Sequence, residues 1–183
     1  MNVRLLAPIA LVAAVGLASC ANSPEQPAED AGAVVATPTR DTTSTPPWQT
    51  PDDVLAHVRA AGLDLGPMGT AEHYHPSLRI IIAGQEIPVS PNIGVDPLTG
   101  AMSAVHTHEG DGTIHIEAES VGEQFTLGQL FTQWGVALTP EQIGGVKADA
   151  GGRVRVTSNG EAVSGDPAKL RLEPDQQIVL TLN

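Results

Sequence analysis

Six histidines stand in this chain of 183 residues, and five of them recur at short spacing, as His73-Tyr74-His75, His106-Thr107-His108 and His115-Ile116-Glu117. On a β-strand, residues i and i+2 point to the same face, so each triplet offers two polar side chains to one place. Neutral imidazoles that converge in this way suit a divalent transition metal. Solvated strand histidines, or core histidines satisfied by hydrogen bonds, are the plainer alternatives. A pH sensor is a further one, because protonated imidazoles at such spacing repel.

The residues around these histidines give the element that would position them. Ser103–His108 and Thr113–Ala118 read as two strands joined by Glu109-Gly110-Asp111-Gly112, a loop of turn-forming residues. That loop sets His108 opposite Thr113 and His106 opposite His115, with cross-strand neighbours about 5 Å apart. His106, His108 and His115 then share one face, while Val105, Thr107, Ile114 and Ile116 turn to the core. His73 or His75, from a neighbouring strand, completes a ligand set, and Glu117 offers an oxygen. Nitrogen ligands without sulfur point to Cu²⁺ or Zn²⁺, and intrinsic affinity favours Cu²⁺. Met102 shares the strand parity of His106 but lies two pairs away.

Gly100 followed after five residues by His106-Thr107-His108 matches the opening of the cupin signature. The match stops there, because Gly112 and Thr113 stand where that signature needs a glutamate. His73-Tyr74-His75, Ile80-Ile81-Ile82-Ala83-Gly84, His106-Thr107-His108-Glu109, Ile114-His115-Ile116-Glu117 and the run from Phe125 to Gly135 together resemble an uncharacterised bacterial extracytoplasmic domain with His-x-His pairs. The resemblance covers about residues 70–182. It implies one domain with a shared histidine site, and it implies no activity.

Other segments supply the scaffold. Thr50-Pro51-Asp52-Asp53 carries the signals of a helix N-terminus, with Thr50 as cap and Pro51 at the first position. That helix is expected to run to Ala61, with Val54, Leu55 and Val58 buried and His57 on the surface. Leu78–Ala83 reads as an apolar strand and Gln85–Val89 as its return. Phe125–Gly135 carries the strongest helix signal: Thr126 caps it, Gln129 closes a capping box, and Phe125 staples to Leu130. Leu127, Leu130, Phe131 and Trp134 share its buried face, and Gly135 stops it. Thr139-Pro140-Glu141-Gln142 reads as the start of a short helical turn. Arg153–Thr157, a turn at Asn159-Gly160 and Ile178–Leu182 add strands. The expected fold is α+β, a largely antiparallel sheet with one main amphipathic helix packed on it.

The N-terminus bears on location. Arg4 precedes an uncharged apolar stretch, Leu5–Leu17, too short to span a bilayer, so residues 1–19 read as a signal peptide. Leu17-Ala18-Ser19-Cys20 resembles the lipobox of bacterial lipoproteins. That resemblance implies cleavage before Cys20, a diacylglyceryl group on its thiol, and an extracytoplasmic protein held to the cell membrane by lipid. Residues 20–49 are rich in Pro and Thr and poor in groups to bury, which predicts a disordered tether, whether glycosylated or bare. Residues 50–183 remain as a single globular domain. Trp48 falls in the tether and Trp134 in the domain.

Composition excludes several classes. Cys20 is the only cysteine, so no disulfide and no thiolate metal site is available once it is lipidated. A net charge of −12 argues against nucleic acid as a partner, and it leaves membrane attachment to the acyl chains. The reading that results is an envelope lipoprotein with a histidine-rich copper or zinc site for capture, storage or sensing. The alternatives are a metal-dependent hydrolase or oxidoreductase, and an interaction module with incidental histidines.

Overall fold

The computed structural model describes residues 38–183, all within one compact unit. The expected signal peptide over 1–19, Cys20 and residues 21–37 of the expected tether lie outside the described residues. The fold is α+β, with two α-helices and three small sheets. Among the described residues no helix is long and apolar enough to cross a membrane.

The helix with the strongest sequence signal forms as expected. In chain order it is the second, after α1 (Val54–Ala60); α2 spans Leu127–Trp134. Thr126 lies in extended backbone and accepts from the Gln129 amide at 3.4 Å, while the Gln129 side chain accepts from the Thr126 amide at 2.9 Å. Phe125, Leu127, Leu130, Phe131 and Trp134 are all buried, and Gly135 ends the helix with φ at +74°. α2 packs on α1, on a short 3₁₀ turn at Pro167–Lys169 and on the strand that carries His106.

α1 starts later than Thr50-Pro51 suggests. Asp53 is its cap, accepting from the Ala56 amide at 3.0 Å. The chain before it has no regular structure and is tied down by the Ser90 hydroxyl, which donates to the Trp48 carbonyl. The shorter helix turns Leu55 to solvent and keeps Val54 and Val58 inside. His57 is half-buried rather than on the open surface, and its Nδ1 lies 3.1 Å from the Thr132 carbonyl of α2.

The largest sheet has five strands: β2 (Ser77–Ile82), β3 (Gln85–Ile87), β9 (Arg155–Ser158), β10 (Glu161–Val163) and β11 (Gln177–Leu182), in the order β10-β9-β11-β2-β3. The β2–β3 and β9–β10 hairpins turn at Ala83-Gly84 and Asn159-Gly160, each pair with two positive φ values, as tight hairpin turns require. The sheet is largely antiparallel, as expected, with one parallel pairing: β11 runs parallel to β2 over six residue pairs, from Gln177↔Ser77 to Leu182↔Ile82. Leu78, Ile80, Ile178 and Leu180 place the core on one side of this pair.

A three-stranded meander replaces the helical turn expected at Thr139. It comprises β6 (Leu138–Thr139), β7 (Gln142–Ile143) and β8 (Val146–Lys147). Thr139 Oγ1 does accept from the amides of Glu141 and Gln142, at 3.2 and 3.1 Å. The same Thr-Pro chemistry that begins a helix here closes a turn, and the chain returns through Gly144-Gly145.

The end of the expected tether is also part of the domain. Trp48 is 4% exposed and sits edge-on to Trp134, with ring centroids 5.7 Å apart. Asp41 bridges to Val136, and the Gly145 amide donates to Ser44 at 2.7 Å. Packed structure therefore includes residues from Asp41 onward, and not only from Thr50. The physical reason is that Trp48 and the backbone groups of 41–44 find partners on α2's exit and on the meander, far away in sequence.

Candidate metal centre

The third sheet carries the histidines. It consists of β1 (Glu72–Tyr74), β4 (Val105–His106) and β5 (His115–Ala118), in the order β1-β5-β4. β4 and β5 pair with His106 opposite His115, the register that loop length and parity predict. Val105, Thr107, Ile114 and Ile116 are each 0% exposed, so the opposite face is core, again as expected. β1 supplies the neighbouring strand and sets His73 opposite Glu117. Just beyond it, the Ile114 amide donates to the Pro76 carbonyl at 2.9 Å, which holds His75 alongside His115.

The loop after His106 departs from a plain hairpin. Thr107 turns inward, donating its hydroxyl to the Ser90 carbonyl at 2.9 Å and accepting from the Ile93 amide at 3.0 Å. Gly112 lies against β2, its carbonyl accepting from the Leu78 amide at 2.8 Å. Its φ is +86°, and a Cβ there would stand 2.1 Å from the Leu78 carbonyl oxygen, so only glycine fits. The expected pairing of His108 with Thr113 is not made. Instead His108 folds back, and its Nε2 comes within 3.2 Å of His106 Nε2.

All five histidines of the sequence pattern meet. Ring centroids lie 4.6 Å apart for His73–His75, for His75–His115 and for His108–His115, and the His106 and His115 rings stack at 5.3 Å. Two groups of three offer ligand atoms all within 4.8 Å of one another: His106, His108 and His115, and His73, His75 and His115. His115 belongs to both. His106 is buried, whereas His73 and His75 are exposed.

The proton of His106 is placed by its partner. Nδ1 lies 2.9 Å from the Ser103 carbonyl, which can only accept, so Nδ1 carries the hydrogen and Nε2 carries a lone pair. Burial, with the neighbouring imidazoles adding to it, lowers the His106 pKa to about 4 against the opposing pull of Ser103. Burial likewise lowers the pKa of His115, with His108 and His75 adding to it. Both rings are therefore neutral at pH 7 and able to donate to a metal. Two nitrogens bound tetrahedrally at about 2.05 Å from one ion stand roughly 3.3 Å apart. The 3.2 Å between His106 and His108 fits that spacing.

Glu117 stands differently from the role of an oxygen ligand. It is buried, with Oε1 3.6 Å from His73 Nε2, and it belongs to neither group of three. At that distance Oε1 makes no hydrogen bond to the His73 ring. Met102 is not among the converging groups either, and it lines a cleft farther along the same sheet face. Sequence reasoning missed Ser103 and Thr107 as the residues that fix His106 and His108. A serine three residues before a histidine carries no signal, because the contact uses only its backbone carbonyl.

No known protein family, no curated protein and no solved structure matches the chain.

Proposed function

We propose that this protein is a lipid-anchored, extracytoplasmic metal binder that holds one Cu²⁺ or Zn²⁺ ion through His106, His108 and His115, with His75 or His73 completing the shell. One observation carries the reading: His106 Nε2, its lone pair fixed by the Nδ1–Ser103 bond, stands 3.2 Å from His108 Nε2. The exposed pair His73 and His75 suits an ion that arrives from solvent and must be able to leave, as in capture or sensing. The anchor rests on Leu17-Ala18-Ser19-Cys20, and the membrane is the partner it implies.

Calorimetric titration of the tag-free, chelator-stripped protein tests the site. Binding should be tighter than about 1 μM for at least one of the two ions at pH 7.5, and should be lost as the pH falls towards about 4, where the buried His106 ring takes up a proton. His106→Ala should abolish it, and His57→Gln should leave it intact. Equal binding in both variants removes the reading. For the anchor, Cys20→Ala should move the protein from the membrane to the soluble fraction, and mass spectrometry of the wild type should find a diacylated Cys20. A variant that still sediments with membranes contradicts it.

A further inference from the structure

Five clustered imidazoles are one more than a four-coordinate ion accepts. They gather as two groups of three that share His115: an inner group with His106 and His108, and an outer group with His73 and His75. The two groups differ in access. The His73 side chain is 56% exposed, whereas His106 is fully buried. An ion that arrives from solvent therefore meets the outer imidazoles first.

His115 stands between the groups. Its ring centroid lies 4.6 Å from those of His75 and His108, 5.3 Å from that of His106 and 6.5 Å from that of His73. The inner group also has two nitrogens already at the spacing of a bound pair, with His106 Nε2 3.2 Å from His108 Nε2. An ion on the outer group has three nitrogens and completes its shell with water. Moving inward, it keeps His115, gives up one outer imidazole and its water, and takes His106 and His108. It ends with four nitrogens in place of three, and at no step is it bare. Donors fixed within a few ångströms act at a high effective concentration, which favours the inward move over escape.

We propose that His73, His75 and His115 form a second, outer ion position, through which Cu²⁺ or Zn²⁺ enters and leaves the inner position on His106, His108 and His115. The inference rests on the metal reading above and adds the route by which the ion is exchanged. Both positions use His115, so they fill in turn and the chain holds one ion.

The test is stopped-flow absorbance on the full, tag-free, chelator-stripped chain, with Co²⁺ as a coloured stand-in for Zn²⁺. Wild type should load in two phases, the first rising in rate with Co²⁺ concentration and the second independent of it, with a change of visible spectrum between them. His73→Gln combined with His75→Gln should load in one phase, slower by about tenfold or more, and still bind one ion at equilibrium. His106→Gln should lose the second phase and keep the first, with residual binding of about 0.1–1 mM. If that buried substitution prevents folding, His108→Gln should give the same result. Wild type that loads in one phase, or an outer double variant that loads at the wild-type rate, overturns the route and leaves the metal reading standing. So do two ions per wild-type chain, or inner variants that fold and bind no Co²⁺ up to about 1 mM. Wild type that binds neither Cu²⁺ nor Zn²⁺ in the calorimetric titration overturns both.

Discussion

His106 shows how much one side chain's setting decides. The i, i+2 spacing and the loop length place it opposite His115 from sequence alone, because strand parity is rigid. What sequence could not give is the fold-back of His108, which follows from Thr107 bonding Ser90 and Ile93, residues outside the hairpin. The depressed pKa of His106 has a thermodynamic consequence. Unfolded, it titrates near 6.5; folded, near 4. Between those values the unfolded chain binds the extra proton, so stability rises with pH in that window, is complete above about 6.5 and is lost towards 4. Chelator-treated protein should lose about 2 kcal/mol from this group between pH 6.5 and 5 in urea melts, with His115 adding in the same direction. His106→Asn should flatten that slope. An unchanged slope means that the ring is not held neutral by burial.

Among the elements, those specified by local chemistry were the legible ones. α2 carries its cap, box and stop in its own local sequence, and all three form. α1 and the 138–147 meander were misread because their signals are shared: a Thr-Pro pair begins helices and turns alike, and tertiary partners decide between them. Besides the Thr107 bonds, the β4–β5 loop is shaped by a close approach of Gly112 to the backbone of β2. Gly112→Ala should therefore cost at least about 2 kcal/mol, from positive φ and overlap together, and should weaken metal binding by displacing His108. Gly100 shares the positive φ, but nothing stands within 4 Å of a Cβ there, so Gly100→Ala should cost only about 1 kcal/mol and leave the metal site untouched. Equal effects in denaturant melts and titrations would show that the contact with Leu78 does not shape the loop.

On the scale of the whole molecule, the α+β class was readable, and the point at which packed structure begins was not. Pro and Thr dominate residues 38–49, and the one apolar side chain of consequence there, Trp48, finds its partner Trp134 across nearly half of the chain. Composition cannot report a contact at that separation. Trp48→Ala should cost about 3 kcal/mol, the low end for a buried large aromatic, and a double-mutant cycle with Trp134→Ala should return a coupling of about 1 kcal/mol. A Trp48 change below about 1 kcal/mol would put residues 38–49 back in the tether.

The parallel pairing of β11 with β2 bears on time rather than on stability. β11 sits between β9 and β2, and it follows both in chain order. A chain delivered from its N-terminus has β2 and β9 waiting with open edges, Ile80 and Val156 among their inward residues, until nearly every other described residue has arrived. Closing the largest sheet then means closing one of the longest loops in the domain, a slow step that local helix signals do not hasten. The interval before that closure is when like chains can pair edge to edge, so crowding during production sets the yield more than the depth of the folded well does.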